Sequence, residues 1–115
     1  MKRRVADALS HGLAAIDVIQ QLIRDIGYDF SRYDQDVLYR SAIERQFEIL
    51  GEAMYRVDEM DSTLRYALPA IGDAIGMRNM IAYNYDSVDN EVVWATMIEN
   101  LDPLRKAIQE ALAGL

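Results

Sequence analysis

Apolar residues recur along the chain with the period of an α-helix. Val5, Leu9, Leu13, Ile16, Ile19, Ile23 and Ile26 stand three or four positions apart, which draws one apolar stripe down a long helix over 5–26. Gly27 is a natural stop, and 28–33 carries no sustained period and reads as a loop. A second helix begins near Asp34 or Asp36. Its stripe runs through Tyr39, Ile43, Phe47, Leu50, Met54 and Val57, while Leu38, Ala42, Ile49 and Ala53 add a second apolar flank. A helix apolar on two sides requires two neighbours, and in a chain this small the second can be another copy. Homodimerisation is therefore a structural expectation.

After Asp61-Ser62-Thr63 an irregular or weakly helical stretch reaches Leu68, and Pro69 suits the entry to a third helix starting near Ala70 or Ile71. Ile71, Ala74, Ile75, Ile81 and Ala82 can supply its buried face. Gly72 and Gly76 each cost a helix about 1 kcal/mol relative to alanine, so they suggest close backbone packing. Asp89 reads as the cap of a fourth helix, with Val88 and Val93 forming a hydrophobic staple and Trp94, Met97, Ile98 and Leu101 behind it. Pro103 predicts a kink or restart, after which Leu104, Ile108 and Leu112 continue the apolar face. No period-2 segment, internal repeat or low-complexity tract interrupts this pattern. The fold class expected is an all-α antiparallel bundle of four to five helices, in a single domain over residues 1–115.

Composition narrows the chemistry. Of 115 residues, 51% are apolar, enough to fold, and 12 Lys and Arg against 19 Asp and Glu leave a net charge of −7. The absence of cysteine excludes disulfides, thiolate metal sites and cysteine nucleophiles, and a single histidine leaves little for zinc or a serine triad. The basic start Met1-Lys2-Arg3-Arg4-Val5 is followed by Ala6-Asp7, unlike a signal peptide, and no apolar run approaches the roughly 20 residues a bilayer requires. A cytoplasmic protein with no membrane partner is expected. The acidic balance argues against broad capture of nucleic acid, so any RNA contact must be local.

Four groups of residues bear on function. Arg40, Glu44, Glu48, Glu52 and Arg56 fall at steps of four on the second helix. Three carboxylates in a column invite a divalent cation, but the bracketing arginines and the lack of a supporting histidine favour a charge ladder and no metal site. His11 lies off the centre of its helix's apolar stripe and reads as a partly exposed structural residue. The Lys2-Arg3-Arg4 triplet sits at a helix N-terminus, where the dipole disfavours cations; a solvated terminus explains it as well as a phosphate or acidic partner does. The densest polar and aromatic cluster runs from Met77 to Asp89. On a helix Arg78 and Tyr85 would share one face, and Asn79 and Tyr83 another.

The segment Arg78-Asn79-Met80-Ile81-Ala82-Tyr83-Asn84-Tyr85 resembles the signature of the HepT-like proteins of the HEPN superfamily: Arg, Asn, three mostly apolar residues, His, any residue, Tyr. The run from Ile43 to Ala53, with its Gly51-Glu52-Ala53, looks like that family's second helix. Pro69-Ala70-Ile71, Ser87-Val88-Asp89 and Val92-Val93-Trp94 extend the match over nearly the whole chain. The resemblance implies a HEPN-type antiparallel bundle that dimerises, bringing two motif copies into one cleft. It implies a cofactor-free, metal-independent ribonuclease that cuts RNA, tRNA included. Such a protein is the toxin of a toxin–antitoxin pair, silenced when an MNT-type nucleotidyltransferase attaches AMP to a motif tyrosine.

Carried over to this chain, Arg78 would hold and polarise the scissile phosphate, Asn79 would orient the backbone or phosphate, and Tyr85 would be the AMP acceptor. Tyr83 departs from the pattern, standing where the family has histidine. A phenol titrates near 10 against about 6.5 for imidazole, so tyrosine is a poor general base at neutral pH, although its hydroxyl can donate to a phosphate or leaving oxygen. RNA binding by an acidic chain further requires Arg78, Arg45, Arg40 and Arg32 to gather in one dimer cleft. Two readings follow: an RNA-cleaving toxin in which Tyr83 replaces the imidazole, and a HepT-like binding subunit without cleavage that serves as partner and modification substrate of the nucleotidyltransferase. An inactivated variant of a toxic parent is a third origin for Tyr83.

Overall fold

The structure is a computed structural model that describes residues 2–84 and 86–115. Six α-helices account for most of these residues: α1 (Lys2–Asp25), α2 (Phe30–Gln35), α3 (Val37–Met60), α4 (Ile71–Tyr83), α5 (Asn90–Glu99) and α6 (Leu101–Ala113), with a 3-10 turn at Ser62–Arg65. The stripe of α1 is buried as its spacing predicts, Leu13 alone being half-buried. Gly27 ends the helix at φ +66. Its amide donates to the Arg24 carbonyl (2.9 Å) and the Tyr28 amide donates to Ile23 (3.1 Å), so the last carbonyls of α1 are satisfied by a left-handed glycine cap.

The segment expected to be a loop contains α2. Asp29 caps it by accepting from the amides of Ser31 (2.9 Å) and Arg32 (3.4 Å). Six residues are fewer than two turns and cannot show a period, so this helix depends on tertiary packing. Tyr33 is fully buried, and its ring lies 5.6 Å from that of Trp94 in α5 and 6.4 Å from Phe30.

Asp36 caps α3 in the same way, accepting from Leu38 (3.0 Å) and Tyr39 (3.2 Å). Ile43, Phe47, Leu50, Met54 and Val57 enter the core, but the second flank divides: Ala53 is buried, Ile49 half-buried, and Ala42 and Leu38 exposed, Leu38 by 78%. α1 and α3 run antiparallel, with Gly12 against Leu50, Ala53 and Met54. α4 returns along the other side of α3. Ile71, Ala74, Met77 and Ile81 face inward, Ile75 is half-buried, and Ala82 is exposed, contrary to its expected place on the buried face.

The close backbone approach expected at Gly72 and Gly76 is not there. Both glycines face open space on the outer side of α4. It belongs to Gly51 on α3, where an added Cβ would lie 2.2 Å from the Arg78 Cβ and 2.8 Å from the Ala74 carbonyl oxygen. Asp89 caps α5 through Glu91 and Val92, Val93 is fully buried, and Val88 packs on the core beside it. The chain breaks at Asn100 and restarts as α6, which places Pro103 in a first turn, where its missing amide is harmless. Six helices replace the four to five expected because α2 carries no sequence period and α5 and α6 are separate. Among the described residues there is no strand.

Candidate functional site

The motif occupies the last two turns of α4 and the segment after it. Arg78 emerges against Gly51, the absence of a side chain there allowing α4 to lie close to α3. Its side chain is 21% exposed and its guanidinium is held from three directions. Nη1 donates to Glu52 Oε2 (3.0 Å), while Nε and Nη2 both donate to Asn79 Oδ1 (3.1 and 2.9 Å). The guanidinium carbon lies 5.0 Å from the centre of the Tyr55 ring, within cation–π range. Asn79 therefore occupies the side edge of the guanidinium. Among the described residues, one N–H on each terminal nitrogen has no partner, next to the carboxylate of Glu52.

Glu52 is shared, because its Oε1 accepts from Arg56 Nε at 3.2 Å. The acidic column of α3 thus connects Arg56, Glu52 and Arg78, but the expected ladder holds only at that end: Glu48 is met by Arg45 from outside the column at 3.6 Å, and Arg40 donates to the Asp34 carbonyl. Burial pushes the Glu44 carboxyl above its ordinary range, with Arg40 opposing and Glu48 reinforcing the shift. Among the described residues, no three His, Asp or Glu side chains are grouped to hold a metal ion. Next to the site, the negative charge of Glu59, together with a hydrogen bond to it, pushes the Tyr55 phenol upward.

Tyr83 is the final residue of α4, 81% exposed, and it projects about 140° around the helix from Arg78. One chain therefore brings Arg78 and Asn79 together and turns Tyr83 away from Arg78. Tyr85 lies outside the described residues. The Asn84 amide closes the helix on Met80, and Ser87 donates to the Asn84 carbonyl (2.9 Å). Within one chain Arg32, Arg40, Arg45 and Arg78 are spread over α2, α3 and α4. His11 is exposed, and it and Arg4 line a cavity of about 470 Å³ between α1 and the end of α3, which Tyr55 and Arg56 also line. Tyr55 was not singled out by the sequence pattern; its spacing, four after Gly51 and three after Glu52, is the signal that puts it on the α4 side of α3.

Among the described residues no helix is long and apolar enough to cross a membrane. No solved structure matches the chain. It is 29% identical over 105 residues to the probable ribonuclease HepT of Thermococcus cleftensis, an alignment covering 91% of this chain and 93% of that one. A candidate RNase of Caldanaerobacter subterraneus subsp. tengcongensis is 24% identical over 104 residues, covering 90% of each chain, and one of Methanocaldococcus jannaschii is 24% identical over 110 residues, covering 94% and 96%. The family model described as Ribonuclease HepT-like matches residues 13–111. With that match spanning α1 to α6, the chain belongs to the HepT-like ribonuclease family.

Proposed function

We propose that residues 1–115 form one HepT-like domain that acts as a cytoplasmic, metal-independent endoribonuclease, the toxin of a toxin–antitoxin pair. The observation that carries this reading is the fixed guanidinium of Arg78, clamped by Asn79, Glu52 and Tyr55, with one N–H on each terminal nitrogen unpartnered among the described residues. The RNA 2′-hydroxyl gives its proton to solvent and attacks the adjacent phosphorus, the bond to the 5′-oxygen of the next nucleotide breaks with that oxygen taking up a proton, and a 2′,3′-cyclic phosphate forms. Arg78 stabilises the charge that develops on the phosphoryl oxygens. Asn79 holds Arg78 in register. Tyr83, from this chain or its partner in a homodimer, donates its hydroxyl to the leaving oxygen in place of the family's imidazole.

Tyr85 is the residue that an MNT-type nucleotidyltransferase would modify. A bulky anionic nucleotide there repels RNA and neutralises the toxin. A second reading is favoured by Tyr83 itself: a phenol where the family has histidine fits a subunit that has given up cleavage and serves as partner and modification substrate. Cleavage of total tRNA in EDTA, beside Arg78→Ala and Tyr83→His, separates the two. The first reading expects the native protein to cut and Arg78→Ala to be inactive. If only Tyr83→His cuts, the native protein is the binding subunit.

A further inference from the structure

Two features remain without a role: the basic start of α1 and the single histidine. The fold brings them together. Arg4 and His11 line the 470 Å³ cavity between the first half of α1 and the last turns of α3, with Tyr55, Arg56, Glu59 and Met60 on the facing side. This cavity adjoins the Arg78 site by two routes. Tyr55 is common to both, lining the cavity while carrying the guanidinium of Arg78 at 5.0 Å. Arg56 is the other link, through Glu52, which bonds Arg56 at 3.2 Å and Arg78 at 3.0 Å.

We infer that this cavity is a subsite for one nucleotide of the RNA strand, next along from the phosphate held by Arg78; the inference rests on the ribonuclease reading above. The lining supplies what a single-stranded nucleotide needs. Arg4, Arg56 and the His11 imidazole are donors for a phosphate. Tyr55 offers an aromatic surface, and Met60 an apolar and polarisable one, against which a base of any identity can rest. Asp7 also lines the cavity, and its carboxylate and that of Glu59 balance the arginines, so the site does not suit a continuous polyanion. They are acceptors for ribose hydroxyls, the groups that distinguish RNA from DNA. Substrate choice is thereby divided: Arg78 positions the reacting phosphate, and the α1 side of α3 grips the neighbouring nucleotide.

The test is fluorescence anisotropy of a labelled 12-nucleotide single-stranded RNA in EDTA across a salt series, read by stopped flow before cleavage proceeds and with a gel showing the strand intact. It compares native protein, the double variant Arg4→Gln/His11→Gln, and Arg78→Ala. Arg4 and His11 are both exposed, so far-UV circular dichroism should show the double variant folded like the native chain. The expected result is binding about tenfold weaker in the double variant, with the slope of log K against log salt shallower by about 0.7 for the lost Arg4 contact. A change of structure alone would not produce that slope. The same sequence as DNA should bind the native protein more weakly; equal binding overturns the roles given to Asp7 and Glu59. If Arg78→Ala weakens RNA binding and the double variant does not, the subsite is refuted while the ribonuclease reading stands. If the native protein does not bind the RNA even at low salt, the ribonuclease reading fails and the subsite with it.

Discussion

Replacing Gly51 with alanine tests the packing that places Arg78. In an open helix this change stabilises by about 1 kcal/mol, because glycine loses more backbone entropy. Here the new methyl would stand 2.2 Å from the Arg78 Cβ and 2.8 Å from the Ala74 carbonyl oxygen, and neither atom can rotate away. Ordinary carbon contacts begin near 3.5 Å, so α4 must move outward by about 1 Å. Overpacking of that kind costs about 1–3 kcal/mol, and a contact this short belongs at or above the upper end. After the propensity gain of about 1 kcal/mol, the net loss is about 2 kcal/mol or more, or roughly 8 °C or more in Tm for a chain of this length. Gly76 is the control. It lies in the same bundle with nothing within 4 Å of its Cβ position, so Gly76→Ala should gain up to about 1 kcal/mol. Urea and thermal unfolding followed by far-UV circular dichroism measure both. A Gly51→Ala protein as stable as the native chain, or a destabilised Gly76→Ala, would refute the assignment of the close approach to α3.

Tyr33→Phe should stabilise by about 1 kcal/mol, because the buried hydroxyl of Tyr33 has no hydrogen-bond partner among the described residues. The same residue gives a pH signature: burial first, then the negative charge of Glu44, hold its phenol protonated well above the ordinary value of 10.0. As pH rises past about 10 the unfolded chain loses this proton and the native one keeps it, so native stability falls and the advantage of Tyr33→Phe widens; a constant gap between pH 8 and pH 11 would contradict this. Asp89→Ala removes an acceptor serving two amides at the start of α5 and should cost about 1 kcal/mol in urea unfolding, with a neutral result counting against the cap.

Long periods were legible and short ones were not. The stripes of α1 and α3 extend over several turns, so chance arrangements cannot imitate them, and Asp36 and Asp89 announce helix starts because a capping carboxylate acts on amides two and three residues away. α2 escaped because its stability comes from Tyr33 and Phe30 meeting Trp94, a residue about sixty positions later. The glycine assignment failed for a related reason. Sequence shows where a glycine is, but only the bundle shows which helix face it turns to a neighbour. At the site, Arg78 and Asn79 were legible as a motif, whereas the Glu52 and Tyr55 partners that hold Arg78 required the docking of α3 on α4.

The pairing of Arg78 with Glu52 changes how this protein meets polyanions. In a chain of net charge −7 whose motif cation is already matched by an internal carboxylate, little long-range attraction draws in bulk nucleic acid. Encounter is then slow and quickens as salt screens the repulsion between like charges, while residence depends on whether a strand supplies enough local contacts to displace the carboxylate. Such an arrangement favours discrimination over capture. A molecule built this way leaves most polyanions unbound and holds only a strand that offers Arg78 more than Glu52 does.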